Sequence, residues 1–203
     1  MHDADRARWN ERFASDDYLF GTAPNAFLAS QRHLLRRGQT ALSVADGEGR
    51  NGVWLAEQGL DVLAVDFSEK AIAKARRLAA ERGVRVAIEQ ADLLEWSWQG
   101  RRFDLVVAIF IQFATPPERT VLFSRMKEAL QPGGHLILQG YRPEQLRYAT
   151  GGPKQVEQLY TEALLRESFA DLEILRLRSH DDVILEGTGH GGMSALIDMV
   201  ARR

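Results

Sequence analysis

Cysteine is missing from all 203 residues. Its absence excludes a disulfide framework, a thiolate metal site, an iron–sulfur cluster and a cysteine nucleophile. A surplus of one charge is missing as well, with 26 Lys+Arg against 28 Asp+Glu and a net charge of −2. No basic field therefore advertises a nucleic-acid or membrane-surface partner. Long apolar runs are lacking too, since the longest, Leu105 to Ile111, falls far short of a bilayer span. The opening MHDADRARWNER is polar and of mixed charge, unlike a secretory signal. Neither internal repeats nor a low-complexity linker divides the chain. What remains is 45% apolar and 27% charged residues, the composition of a soluble, cytoplasmic protein with one domain's length and an ample core.

From about residue 40, short β-branched runs alternate with amphipathic stretches, the signature of an α/β fold with a largely parallel sheet. Thr40–Ala45, Asp61–Val65, Arg85–Glu89, Phe103–Phe110 and His135–Leu138 are the strand runs. The fourth is nearly all apolar, as in a strand buried on both faces. Ser68 is placed to cap a helix through Ala71, Ile72, Ala75, Leu78 and Ala79, which Gly83 stops. Thr115-Pro-Pro-Glu118 reads as a capping box ahead of a helix burying Val121, Leu122, Met126 and Leu130. Further on, a helix is predicted over Gln155–Phe169. Strands are predicted at Leu172–Arg178, Asp182–Glu186 and Ala195–Ala201, with an antiparallel pair closing the sheet. Residues 1–38 are predicted to be helical and to lie over the sheet's edge or mouth.

Between the first strand and its helix lies Asp46-Gly47-Glu48-Gly49-Arg50-Asn51-Gly52, an intact G-x-G-x-x-G. Glycines let a ligand approach the main chain, and helix-start N–H groups then face its anionic part. A tight turn with no ligand uses the same residues, but the strand-then-helix setting favours a nucleotide site. Asp66 ends the next strand about twenty residues on, where a carboxylate accepts both ribose hydroxyl protons. Two cofactors fit this much: a nicotinamide dinucleotide and S-adenosylmethionine (AdoMet). Asp46 bears on the choice, because a carboxylate repels a pyrophosphate and attracts the ammonium of AdoMet's amino-acid arm. Arg50 and the turn amides suit the carboxylate of that arm. Asp92, after the third strand, suits the exocyclic amine of adenine, with Leu93 as an apolar wall.

The set Val44–Gly52, Val65–Ser68, Gln90–Leu93, Phe103–Val107 and Leu130–Leu138 resembles the class I AdoMet-dependent methyltransferases. Resemblance covers about residues 40–140. It implies an α/β Rossmann-like, seven-stranded, mostly parallel sheet with an antiparallel C-terminal strand and helices on both faces. Trp9–Phe13, Tyr18–Gly21 and Pro24–Leu28 further resemble the N-terminal cover of the tellurite-resistance and thiopurine methyltransferase-like small-molecule groups. That likeness implies lid roles for Trp9, Phe13, Tyr18, Phe20, Gly21 and Pro24. Under it the chain is one methyltransferase domain, with a cover at 1–38, a cofactor core at 39–140 and a substrate-side completion at 141–203. The cofactor set it implies is Trp9, Tyr18, Gly21, Asp46, Gly47, Glu48, Gly49, Arg50, Asn51, Asp66, Phe67, Asp92, Leu93, Ile109 and Gln112.

Ile109-Phe-Ile-Gln-Phe113 stands where enzymes that methylate exocyclic amines of bases carry an Asn/Asp-Pro-Pro-Tyr/Phe element, which argues against an adenine or cytosine N-methyltransferase. An acidic magnesium set is likewise missing, so no metal is expected. Methyl transfer from a sulfonium needs alignment and desolvation more than a catalytic triad. Tyr141 and Arg142 are candidates to orient an anionic acceptor, and His190 in the glycine-rich turn to bind substrate or act as a base. Gln112 and Phe113 are expected near the sulfonium. The acceptor expected is a small molecule, a thiol or a chalcogen or metalloid oxyanion among the choices. A nicotinamide-dependent oxidoreductase and a non-catalytic AdoMet-binding protein stand as alternatives. Oligomeric state is not legible.

Overall fold

The computed structural model describes residues 3–203; Met1 and His2 of the expected cover lie outside the described residues. Strands β1 (Thr40–Val44), β2 (Asp61–Asp66), β3 (Ala87–Gln90), β4 (Phe103–Ile109), β5 (Leu130–Tyr141), β6 (Glu173–Glu186) and β7 (His190–Arg202) are set out along the chain. They form a seven-stranded sheet in the order β3-β2-β1-β4-β5-β7-β6. The pairs β1–β2, β2–β3 and β4–β5 are parallel, while β7 runs antiparallel to β5. This is the mostly parallel α/β sheet with an antiparallel C-terminal closure that the sequence implies. Two compact units divide the chain: one runs to Ser97 and includes Glu186–Gly189, and the other holds Trp98–Leu185 and His190–Arg203.

In the first unit, helices α1 (Asp3–Arg12), α2 (Ala26–Ser30), α3 (Arg50–Glu57) and α4 (Glu69–Glu81) accompany β1–β3. The Ser68 hydroxyl accepts the Ala71 N–H at 3.2 Å, and Glu69 lies in the first turn, so α4 starts where its cap residues place it. Leu78 and Ala79 of α4 pack on Val53 of α3, with Tyr18, Val84 and Val86 beside them. The cover is less helical than predicted. Between α1 and α2 the chain is irregular, and beyond α2 it makes only a 3-10 turn at Arg32–Leu34. Asp16-Asp17, Gly21 and Pro24 supply turn chemistry there instead of a helical stripe.

The second unit carries α5 (Pro116–Glu128), α6 (Gln145–Tyr148) and α7 (Glu162–Ser168) with β4–β7. The Thr115/Glu118 capping box is formed with proline at the first helical positions. The buried stripe of α5 is Arg119, Leu122, Phe123 and Met126. Val121 is 45% exposed, and Leu130 has left the helix to begin β5. β5 is therefore longer than the predicted 135–138. Its register on β4 breaks between Phe103↔Leu130 and Leu105↔His135, accommodating Gln131–Gly134. No single helix covers 155–169. A 3-10 turn at Val156–Gln158 precedes α7, and the Tyr160 N–H between them donates to the Tyr141 carbonyl at 2.9 Å. That backbone pairing with β5 takes the residue out of a helical ladder. The two predicted runs at 172–186 join as one 14-residue strand. Across β5, β7 and β6, buried Asp198 is satisfied by Gln139 Nε2 at 2.7 Å and by His180 Nε2 at 2.9 Å.

Gly49 caps α3 with φ +91°, and a Cβ there would lie 2.8 Å from Ala75 Cα on α4. Gly49→Ala should thus lose at least about 2 kcal/mol, from left-handed strain plus a clash with a helix backbone. A chemical denaturation midpoint equal to that of the parent would refute this.

Candidate active site

The turn that follows β1 places three ionisable side chains within five residues. Ala45 turns the chain with φ +49°, an uncommon value for a residue with a Cβ, and Asp46 follows. Asp46 Oδ1 accepts the Ser43 hydroxyl at 2.5 Å and the Gly52 N–H at 3.0 Å. Its Oδ2 is buried with no hydrogen-bond partner among the described residues. Burial raises the Asp46 pKa, against lowering by these two hydrogen bonds and by Arg50. A Cβ on Gly52 would sit 2.5 Å from that same Oδ2, so only glycine admits this carboxylate.

Glu48 points elsewhere. Its Oε1 meets Lys74 Nζ at 2.7 Å and the Leu19 N–H at 3.1 Å, and its Oε2 takes the Phe20 N–H at 3.2 Å. Lys74 also donates to the Asp17 carbonyl at 2.7 Å. Arg50 Nη2 meets Glu186 Oε2 at 2.7 Å, while its Nη1 is buried with no hydrogen-bond partner among the described residues. Asn51 Oδ1 accepts the Asn25 N–H at 2.9 Å. The turn thus holds the irregular cover by its backbone and leaves one buried acceptor and one buried donor unused.

At the end of β2, Asp66 Oδ2 accepts the Gly47 N–H at 2.8 Å and Oδ1 the Ser68 N–H at 2.9 Å. Each carboxylate oxygen keeps a lone pair for a further donor. Burial, partly offset by those amides, pushes the Asp66 pKa up to about 6. Asp92 Oδ1 accepts the Leu94 N–H at 2.9 Å, a local turn bond, and Leu93 is buried. Phe67 gives its carbonyl to Gln90 Nε2 at 3.2 Å. Trp9 stacks on Phe13 at 5.4 Å, and the Phe13 ring edge lies 3.9 Å from where a Gly47 Cβ would stand. The Tyr18 hydroxyl donates to the Lys74 carbonyl at 3.3 Å and accepts Arg77 Nε at 3.2 Å, so this ring anchors the cover to α4. Gly21 closes a turn onto the Tyr18 carbonyl with φ +71°.

The remaining candidates belong to the second unit. Ile109 is the last residue of β4 and buried, and Phe110 after it has φ +55°. Gln112 acts as a brace: Nε2 donates to the Tyr141 carbonyl at 2.9 Å and to the Gln158 carbonyl at 3.0 Å, while Oε1 accepts the Tyr141 N–H at 2.5 Å. Its amide is committed to backbone. Tyr141 is buried and stacks on Phe110 at 4.6 Å. His190 begins β7 and is also buried; it meets Phe110 edge-on at 4.8 Å and Tyr141 at 5.8 Å. Arg142 is neutralised by Glu144 at 3.3 Å and by Asp181, which also takes the Tyr148 hydroxyl at 2.8 Å. Its Nε is buried with no hydrogen-bond partner among the described residues. No group of three or more potential metal-ligating His, Cys, Asp or Glu occurs among the described residues. No helix of the described residues is long and apolar enough to cross a membrane.

Residues missed in the sequence are Ser43, Lys74, Asn25 and Glu186, all partners of the turn. A lysine within the apolar stripe of α4 is the signal for Lys74, and Ser43 lies three residues before Asp46; Asn25 and Glu186 are separated from the turn in ways no spacing rule reports.

Residues 41–134 match the methyltransferase domain family. Carboxy-S-adenosyl-L-methionine synthase of Geobacter metallireducens is 32% identical over 135 residues, covering 64% of this chain and 53% of that protein. Thiopurine S-methyltransferase of Pseudomonas paraeruginosa is 38% identical over 89 residues, covering 41% and 38%. The structure of the N-methyltransferase NodS from Bradyrhizobium japonicum WM9, in complex with S-adenosyl-L-homocysteine, aligns over 99% of both chains with a TM-score of 0.72 at 18% identity. The chain spans about half the length of the curated relatives it matches, or less. Fold and family match agree: residues 41–134 match a methyltransferase domain, and the sheet around them shares its fold with the solved methyltransferase it aligns with.

Two predictions follow from the buried charges. Lys74→Met should destabilise by about 3–5 kcal/mol, because it leaves Glu48 buried without its cation; a loss below about 1 kcal/mol in urea denaturation would show the pair to be dispensable. Asp66 is protonated more readily folded than unfolded. Its contribution to stability is therefore present near pH 4 and lost as pH rises toward 6, by on the order of 3 kcal/mol. In Asp66→Asn that part of the pH dependence should vanish, and an identical stability–pH curve would contradict the assignment.

Proposed function

We propose that this protein is a methyltransferase that uses AdoMet to methylate a small-molecule acceptor. The observation that carries the reading is the pair of unused buried groups in one turn, Asp46 Oδ2 and Arg50 Nη1. An amino-acid zwitterion satisfies both at once, its ammonium on Asp46 and its carboxylate on Arg50. A pyrophosphate would place like charge against the Asp46 carboxylate, which disfavours a nicotinamide dinucleotide. Asp66 is the residue to hold a ribose diol, and Asp92 with Leu93 to hold adenine. Trp9, Phe13 and Phe20 supply an apolar cover that excludes water. Ile109 and Gln112 lie in the second unit, where Gln112 fixes the backbone of Tyr141.

Bound AdoMet supplies a methyl group on an activated sulfonium, so the chain's own work is alignment and desolvation. Tyr141 and His190, packed with Phe110, provide an aromatic setting suited to a soft, uncharged nucleophile. A small thiol is the acceptor we favour. His190 is the candidate to receive the thiol proton, since methylation of S–H releases one.

Thermal shift with AdoMet, S-adenosylhomocysteine and NAD(H) tests the cofactor. The two adenosyl ligands should raise the midpoint and NAD(H) should not; stabilisation by NAD(H) alone would sink the reading. Asp46→Ala should weaken S-adenosylhomocysteine at least about tenfold, as expected for losing a charge-assisted contact. Turnover on a panel of small thiols, amines and oxyanions, followed by S-adenosylhomocysteine release, separates an enzyme from a binding protein. Release with amines but not thiols would overturn the acceptor assignment.

A further inference from the structure

We propose that Glu186 is a positioning residue for the methyl donor, holding the Arg50 guanidinium so that Nη1 is left for the donor's carboxylate. The inference rests on the cofactor reading above. Arg50 and Glu186 meet through Nη2 and Oε2 at 2.7 Å, with side chains only 8% and 11% exposed. A guanidinium carries two terminal nitrogens in one rigid plane, so fixing Nη2 fixes the direction in which Nη1 points. Nη1 is buried and has no hydrogen-bond partner among the described residues, which is costly unless a ligand completes it.

Glu186 is itself fixed. Its Oε1 accepts Asn25 Nδ2 at 2.9 Å. Asn25 in turn caps α2 through the Leu28 N–H at 3.0 Å and donates its own N–H to Asn51 at 2.9 Å. The residues after Glu186 close the circuit. The Thr188 and Gly189 N–H groups donate to the Leu19 carbonyl at 2.9 and 2.8 Å, and the Leu19 N–H returns to Glu48 in the turn. Gly187 has φ +61°, and a Cβ on it would stand 2.4 Å from the Leu19 carbonyl oxygen, so the tip of the β6–β7 hairpin is seated closely on the cover. The carboxylate that orients Arg50 is thus set by backbone on both sides.

A simple staple predicts something different. It would hold the hairpin tip and weaken every ligand equally when cut, or change stability alone. A positioning residue acts only on a ligand that has the carboxylate. Methylthioadenosine lacks the amino-acid arm of S-adenosylhomocysteine and serves as the control. Calorimetric binding of both ligands to the wild type, Glu186→Gln, Arg50→Lys and the double variant tests the proposal.

Glu186→Gln should weaken S-adenosylhomocysteine about tenfold and leave methylthioadenosine unchanged. In the Arg50→Lys background the same change should have no further effect, because the two residues act as one unit. Equal losses for both ligands, additive losses in the double variant, or no loss would each overturn the proposal. A tighter S-adenosylhomocysteine complex would also overturn it, by showing that Glu186 competes with the ligand for Arg50. Should Glu186→Gln fail to fold, Glu186→Asp keeps the charge, shortens its reach and is read in the same way. Failure of the wild type to bind S-adenosylhomocysteine is a separate result, which removes the cofactor reading itself.

Discussion

Asp46, Glu48 and Arg50 leave one glycine-rich turn in three directions, and all three carry charge away from water. Taking a charge out of water costs several kcal/mol unless something of opposite sign meets it. The first unit is organised around meeting that demand. Glu48 draws in Lys74 and, through it, the carbonyl of Asp17; Arg50 draws in Glu186, and Glu186 draws in Asn25. Of the two acids, Asp46 pairs directly with no cation among the described residues, and burial holds its carboxyl above the ordinary range. A turn made only to connect β1 with α3 has no need of such a group. A buried carboxylate without a cation attracts an ammonium and repels a phosphate, which is the basis of the proposed cofactor reading.

The same constraint explains why the cover is irregular. A helix would satisfy its own backbone and leave Glu48 without the Leu19 and Phe20 amides it accepts. By staying non-helical, residues between α1 and α2 keep N–H and C=O groups available to a buried carboxylate and to the hairpin tip. Local backbone strain is found at two strand ends, Ala45 after β1 and Phe110 after β4, each with positive φ and a Cβ. Such conformations cost on the order of 1–3 kcal/mol and persist where surrounding contacts over-determine them. Asp46 bonded to Ser43 and Gly52, and Phe110 packed on Tyr141 and His190, are those contacts.

The alternation of strands and helices, the Ser68 and Thr115 caps and the acids at strand ends were legible because each depends on residues close in sequence. Periodicity of two, periodicity of 3.6 and cap chemistry are local signals. The failures share the opposite cause. The predicted helix at 155–169 gave way because Tyr160 pairs with Tyr141 of β5, and no local pattern announces a partner nineteen residues back. The role of Glu186 was invisible for the same reason, since Arg50 lies 136 residues away. Val121 was placed in the core because it is apolar, whereas helix geometry buries Arg119 and Phe123 at the neighbouring positions of the stripe.

In the second unit, polar groups are spent on holding shape rather than on presenting charge. Gln112 imitates a strand, giving and taking hydrogen bonds with the Tyr141 backbone, and a Cβ on Gly140 would strike both Tyr160 and Gln112. Gln145 does similar work within β7, accepting the Ala195 N–H at 2.8 Å and reaching Thr150 at 2.9 Å. Arg142 is tied to two carboxylates, and Asp198 is answered by Gln139 and His180. What these braces hold in place is an aromatic cluster of Phe110, Tyr141 and His190. Selection by such a surface works through fit and desolvation, where a missing methylene is worth only about 1–3 kcal/mol. Among the described residues, Asp46 Oδ2 and Arg50 Nη1 of the turn after β1 keep hydrogen-bonding capacity, and in the second unit so does Arg142 Nε, beside its two carboxylates.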